Sequence, residues 1–191
     1  MIVGIIGNKF VGKTTVANYL VSKHNFIEKP FSECVKTICK TLFYLSDEQL
    51  HDPILKETPD NRWYNITPRQ MMQFIGTDLL RNNFHKLMPE LDKGIFVRNL
   101  EIWYENAIKE NPKIKVLISD VRNQNEVDFI KKYGGIIIKL IRPNIILNDM
   151  HESETKINDV ERFDINHTII NDTDIDNLYQ QFDSYLDKID N

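Results

Sequence analysis

Residues 2–14 read IVGII followed directly by GNKFVGKT. The first five are apolar and mostly β-branched, the pattern of a short strand buried on both faces. The spacing Gly7-x-x-x-x-Gly12-Lys13-Thr14 then matches a phosphate-binding loop. The pattern has a physical basis. Glycines let backbone N–H groups curl around phosphate oxygens, and a helix starting there adds positive potential. Lys13 can bridge β- and γ-phosphates, and the Thr14 hydroxyl can ligand Mg2+. Lys9 reads equally as a second phosphate contact and as a solvated loop lysine. A strand that ends in such a loop and continues as a helix points to an open α/β sheet. Ligands of such sheets bind beyond the carboxyl ends of the strands.

The rest of the chain fits that expectation. Strands are predicted at 115–120 (KVLISD), 135–141 (GIIIKLI) and 167–171 (HTIIN), with a short one within 25–31. Helices are predicted at 14–24, from Ser32 to about Phe43, and at 67–81, 95–111, 123–133 and 175–189. Gly134 and Gly135 stop the helix before them. Residues 46–66 contain Pro53 and Pro59 and read as irregular. Residues 143–163 read as a loop or lid. Strands alternating with helices imply parallel strands joined by right-handed crossovers, hence a three-layer α/β fold. A chain of 191 residues fits one domain. Its expected parts are a core of 1–45 and 95–191, an acceptor-binding region at about 46–94 and a lid at about 143–163.

Bulk properties exclude several classes. A net charge of −4 argues against broad capture of a nucleic-acid polymer, although a local cluster of cations would still hold a small anion. Cys34 and Cys39 form no Cys-x-x-Cys pair, which suits a reducing, cytoplasmic setting. The N-terminal residues lack the pattern of a signal peptide, and no apolar run approaches the ~20 residues of a membrane span. No membrane partner is expected, and a homodimer stays open. His24, His51, His85, His151 and His167 are scattered, without a Ser-His-Asp order, an HExxH motif or paired metal cysteines. Phosphoryl transfer needs none of these, because it runs on positioning and electrostatic stabilisation.

Two further stretches supply candidate groups. In SDVRNQNE, Asp120 ends an apolar strand and Arg122 follows two residues later. A carboxylate there can hold Mg2+ through water or orient a substrate, and Arg122 can clamp a transferring phosphoryl group. Asn123 is placed to cap the next helix, which leaves Asp120 for chemistry. Arg142 closes the following strand.

In TPRQMMQFIGTDLLR (67–81), Thr67, Pro68 and Gln70 form a helix start with a capping box. At 100° per residue, Met71, Met72, Ile75 and Leu79 share one arc. Arg69, Gln73, Thr77 and Arg81 fall within an opposite, oblique arc of roughly 120°. They span about 18 Å, enough to line a nucleotide. Gly76 lies beside Arg69 and Gln73 and is expected to leave room for a ligand, since a mid-helix glycine costs ~0.5–1 kcal/mol. The competing reading is a solvated face with an accidental glycine. Asp78 borders the apolar arc and either meets the acceptor or braces Arg81.

GNKFVGKTTVANYL, TPRQMMQFIGTDLLR, SDVRNQNE, YGGIIIKLIRP and HESE occur in the order expected of phage- and large-virus-type deoxynucleoside monophosphate kinases. The chain resembles that family from about Ile2 to Ile170. The resemblance implies a P-loop NTPase fold of the adenylate-kinase type, with an acceptor-binding helical insertion and a lid. It implies transfer of the γ-phosphate of ATP to a deoxynucleoside monophosphate, with Mg2+. It implies Gly7, Lys9, Val11, Gly12, Lys13, Thr14 and Thr15 at the ATP phosphates. Lys13, Asp120, Arg122 and Arg142 would be catalytic, and Thr14 and Asp120 would ligand the metal. Arg69, Gln73, Thr77, Asp78 and Arg81 would line the acceptor pocket, joined by His151 and Glu154 of HESE.

This sequence departs from the family twice. Thr14 stands where the family often has an aspartate, which restores the ordinary Mg2+ ligand. After Arg142 the expected lid offers only Lys156 and Arg162 as long cations. Two other readings share parts of the pattern. The chain also resembles animal-type phosphomevalonate kinases in its Gly-Thr-Asp helix, Ser-Asp-x-Arg strand end and Glu-Ser-Glu segment. A phosphate-loop regulatory module would need the loop but no acceptor. A nucleobase would favour aromatic neighbours, and Trp63, Tyr64 and Phe74 are the candidates.

Overall fold

In the computed structural model, which describes residues 1–143 and 164–190, the run Ile2–Ile6 is strand β1 and is buried throughout. It is the middle strand of a five-stranded sheet with order β2-β3-β1-β4-β5. The others are β2 (Ile27–Glu28), β3 (Val116–Val121), β4 (Ile136–Ile141) and β5 (His167–Ile170). Every neighbouring pair is parallel, so all the carboxyl ends lie along one edge. The helices are α1 (Lys13–His24), α2 (Glu33–Phe43), α3 (Asp47–His51), α4 (Pro68–Gln73), α5 (Ile95–Glu110), α6 (Gln124–Lys132) and α7 (Ile175–Asp190). A π-helical segment, Phe74–Arg81, continues α4. The predicted strands and long helices are all present, with boundaries shifted by a few residues at most.

The chain divides into two compact units, Met1–Pro30 with Glu101–Asn191, and Phe31–Leu100. The division differs from the expected one in where the insertion begins. Helix α2, predicted as part of the core, belongs to the second unit.

The first unit holds the sheet between two helical layers. Val3 and Ile5 of β1 pack in one cluster with Val16, Ala17 and Leu20 of α1 and with Leu178, Phe182 and Leu186 of α7. Alternate residues of a strand face opposite sides. Gly4 accordingly meets the other layer, where an added β-carbon would stand 2.5 Å from Cδ1 of Ile130 in α6. On that side Phe129 and Tyr133 make edge contacts with Tyr104 of α5. Each fully buried aliphatic side chain contributes about 1.5–3 kcal/mol, so the strands gain from both faces at once. That explains their unbroken apolar sequences. Among the described residues no helix is long and apolar enough to cross a membrane.

Helices α1 and α7 are also joined by a polar cluster. Asp183 accepts from the Tyr19 hydroxyl, from Lys23 Nζ at 2.8 Å and is paired with His24 Nε2 at 2.8 Å. Tyr19 stacks on Tyr179 with ring centroids 3.8 Å apart. Burial pushes the Asp183 carboxyl up, but hydrogen bonds from Lys23, Tyr19 and His24 outweigh it and hold the group at about 2, below its ordinary 3.8. A carboxyl depressed on folding contributes stability above its unfolded value, and that stability is lost as pH falls through the folded value. Asp183→Asn is expected to flatten the acid loss of stability between those two values, read as unfolding midpoints across that pH range.

The second unit carries the region predicted as irregular. It contains α3, whose start is a capping box between Ser46 and Gln49, so the S-x-x-Q signature at 46–49 was a usable signal. Asp60, 7% exposed, anchors the following turns. It accepts from Arg62 Nη2 at 2.6 Å and from Gln49 Nε2 at 3.1 Å, and the Arg62 guanidinium holds its carboxyl well below the usual range.

Candidate active site

The phosphate loop stands at the carboxyl end of β1, between β3 and β4. Gly7 is buried, and a β-carbon there would lie 2.6 Å from the Leu140 carbonyl oxygen at the end of β4. Only glycine lets the loop leave the sheet this close to its neighbour. Gly12 precedes α1 with φ 109°, a left-handed conformation that favours glycine. Val11 is buried in the core, so it can offer a ligand only its backbone. Its carbonyl oxygen accepts from Asn171 Nδ2 at 2.9 Å. Lys13 Nζ donates to the Gly7 and Asn8 carbonyl oxygens, both at 2.6 Å. The ammonium group is therefore held across the loop by the loop itself. Lys9 and Thr15 are half-buried and Thr14 is exposed in the first turn of α1.

The neighbouring strand ends bring further predicted residues to the same edge. Ile6 is in register with Val121 of β3 and with Lys139 of β4. Between Gly4 and Ile6, β3 advances from Ile118 to Val121, one residue more than its partner. Asp120 lies in this irregularity, one residue before the end of β3. Bulges of this kind re-aim side chains and recur beside active sites. The Ser119 hydroxyl next to it donates to a Glu28 carboxylate oxygen on β2.

Arg122 follows β3 and is half-buried; its backbone N–H donates to Glu126 Oε2 at 2.7 Å. Glu126, 1% exposed, also accepts from the Asn123 backbone N–H at 3.1 Å and from Asn123 Nδ2 at 2.8 Å. Asn123 is the N-cap of α6, as predicted. Glu126 was missed, although Asn-x-x-Glu before an apolar run announces a capping box. Arg142 is exposed directly after β4. Asn171, just past β5, was missed as well. Its contact with Val11 spans 160 positions in the chain, and no local pattern marks it.

The second unit holds the predicted acceptor residues. Thr67 and Gln70 form the expected capping box, with Pro68 in the first turn. The helix then widens into the π-helical turns of Phe74–Arg81. At roughly 4.4 residues per turn, residues four apart align more nearly along the axis than in an α-helix. Gln73, Thr77 and Arg81, four residues apart, therefore stay on one side of the helix, as expected. Together with Arg69 they are all half-buried, whereas Asp78 is exposed. Arg69 Nε donates to a Glu57 carboxylate oxygen. The Arg81 guanidinium lies over the Phe96 ring, 5.0 Å from its centroid, a cation–π contact that restricts its orientation.

Two residues of this helix differ from expectation. Leu79 is 47% exposed rather than part of the buried arc, because the π-helical turns change the angular phase after Gln73. Met71 and Ile75 do face the core. Gly76 is buried, and the nearest neighbour of an added β-carbon is Val35 of α2, at 3.3 Å. Its small size therefore serves helix packing within the unit, not a ligand gap. Trp63 is committed to structure, donating from Nε1 to the Phe43 carbonyl at 2.8 Å. Tyr64 and Phe74 are exposed. Glu154, His151, Lys156 and Arg162 lie outside the described residues.

Comparison with known proteins matches residues 40–182 to the family model "Deoxynucleotide monophosphate kinase". A protein of Acanthamoeba polyphaga mimivirus, provisionally named deoxynucleotide monophosphate kinase, is 45% identical over 188 residues, covering 98% of this chain and 96% of its own. The deoxynucleotide monophosphate kinase of Enterobacteria phage T4 is 26% identical over 118 residues, 62% of this chain and 44% of that protein. Among solved structures, a dephospho-CoA kinase from Campylobacter jejuni aligns over 98% of this chain and 96% of its own, with 14% identity and a TM-score of 0.49. With three quarters of its length inside the family match and a relative of nearly equal length at 45% identity, this chain belongs to the deoxynucleotide monophosphate kinase family.

Proposed function

We infer that the chain transfers the γ-phosphate of ATP to the phosphate of a deoxynucleoside monophosphate, giving ADP and the deoxynucleoside diphosphate. The observation that carries this reading is the pairing, in a member of this family, of a phosphate loop with a half-buried row of Arg69, Gln73, Thr77 and Arg81. The loop accounts for the donor. Two arginines and two neutral polar groups suit an acceptor that combines a phosphate with a base.

In the proposed reaction an acceptor phosphate oxygen attacks the γ-phosphorus. The bond from that phosphorus to the β-bridging oxygen breaks, and ADP leaves. The acceptor phosphate is largely dianionic near pH 7, so no general base is needed. Lys13 exchanges the Gly7 and Asn8 carbonyls for phosphate oxygens. Lys9, with the backbone of Gly7, Val11, Gly12, Thr14 and Thr15, holds the rest of the triphosphate chain. Arg122 and Arg142 balance charge on the transferring group. Arg69 and Arg81 hold the acceptor phosphate, with Gln73, Thr77 and Asp78 beside it and Glu154 as a further contact.

The donor set also suits Mg2+. Thr14 offers a hydroxyl and Asp120 a carboxylate, both hard oxygen donors. Among the described residues no group of three His, Cys, Asp or Glu could cage a metal alone, so phosphate oxygens and water would complete its shell. When bound, the ion would neutralise charge on the phosphates during transfer. The reading needs one chain, ATP and one acceptor. It involves no nucleic-acid polymer or membrane and does not require a homodimer. The viral relatives support action in the cytoplasm of an infected cell. Neither a phosphomevalonate acceptor nor an acceptor-free regulatory module is favoured by the family match.

A coupled ADP-release assay with each deoxynucleotide, its ribonucleotide and phosphomevalonate tests the reading. Turnover is expected with at least one deoxynucleoside monophosphate; rapid ADP release without any acceptor would contradict it. In the same assay Arg81→Ala should raise the acceptor KM roughly 10- to 100-fold, the worth of a charged hydrogen bond, with the ATP KM within about twofold. Loss of ATP binding instead would overturn the assignment of Arg81.

A further inference from the structure

The phosphate loop is held from behind by a residue that no motif marks. Asn171 Nδ2 donates to the Val11 carbonyl oxygen at 2.9 Å. The Val11–Gly12 peptide is trans, and in a trans peptide the C=O and the following N–H point in opposite directions. Fixing the Val11 carbonyl toward Asn171 therefore fixes the Gly12 N–H away from it. Gly12 is the last glycine of the motif, and its N–H is among those such loops turn toward phosphate.

The amide is itself firmly placed. The Asn171 backbone N–H donates to the Ile141 carbonyl oxygen at 2.7 Å, tying it to the end of β4. Just before it, Gln181 of α7 holds Ile170, donating to its carbonyl oxygen at 3.0 Å. The contact is also close: a β-carbon at Gly12 would lie 2.9 Å from Asn171 Nδ2. The Val11 side chain is anchored in the core on the same side of the sheet as α7. With that side chain buried and its carbonyl held, the Val11–Gly12 peptide has little freedom to rotate.

We propose that Asn171 is a positioning residue for nucleotide phosphate, orienting the Val11–Gly12 peptide so that the Gly12 N–H is set for the β-phosphate before nucleotide arrives. The proposal rests on the reading of residues 7–14 as an ATP site. It does not require Asn171 to touch the nucleotide. Preorganised donors bind charge without paying for reorganisation at the moment of binding.

Asn171→Asp tests this, because the side chain keeps its shape but presents an acceptor to the Val11 carbonyl. With Mg2+ present, the ADP Kd measured by titration calorimetry should rise about tenfold, as for other residues that orient a binding group. The unfolding midpoint of the nucleotide-free protein should shift by no more than about 4 °C. The KM of the best deoxynucleotide from the acceptor panel should stay within about twofold. Asn171→Ala should give a smaller loss of ADP affinity in the same direction, and serves if the aspartate variant fails to fold. An ADP Kd within about twofold of wild type in the folded variant would overturn the proposal. Equal weakening of ADP and acceptor would overturn it too, since that marks general loosening. If the wild-type protein itself bound no ADP, the ATP-site reading would fail, and this proposal with it.

Discussion

Replacing Lys13 with alanine is expected to lower kcat by roughly 10²–10³-fold, the usual consequence of deleting one preorganised electrostatic contact to a reacting group. The ammonium stands over the loop, held at 2.6 Å by two loop carbonyls that phosphate oxygens would replace. The protein should stay folded. Lys13 is only half-buried, so its truncation removes little packing. The coupled ADP-release assay gives kcat, and circular dichroism confirms the fold. A fall of less than about tenfold would mean that Lys13 does not stabilise the transferring phosphoryl group.

The largest expected loss of stability comes from Glu126→Ala. The carboxylate is 1% exposed and accepts hydrogen bonds from two backbone N–H groups and one side-chain amide. Its removal strands three donors in a partly buried turn, each costing about 1 kcal/mol or more, so a total near 3 kcal/mol is expected. For a chain of this size that lowers the melting temperature by roughly 6–12 °C. The same turn sets Arg122 and the end of β3, so the folded fraction should also lose activity. A melting shift below about 2 °C would contradict this account of the turn.

The sheet was legible because its strands are buried on both faces. Ile2–Ile6, Val116–Val121 and Ile136–Ile141 are near-continuous apolar runs, which leave little choice of structure. The loop was legible because the glycine and lysine spacing has one strong physical use. The second unit was less so. Helix α2 carries an ordinary amphipathic pattern, and nothing in residues 33–43 tells which unit it joins. The π-helical turns of Phe74–Arg81 hide from a wheel drawn at 100° per residue. That wheel put Leu79 in the buried arc and gave Gly76 a ligand it does not face. The polar row survived the error, since residues at a spacing of four stay neighbours in either helix. Asn171 could not be read at all, because its partner is made adjacent only by the order of β1, β4 and β5.

A phosphoryl group is expected to pass from one nucleotide to the other. Incubating the protein with Mg2+, ATP labelled at the γ-phosphate and the four deoxynucleoside monophosphates follows that group directly. The account predicts label in the β-phosphate of a deoxynucleoside diphosphate, appearing at the rate at which ADP is released. Label accumulating as inorganic phosphate at that rate, whether or not an acceptor is present, would contradict it.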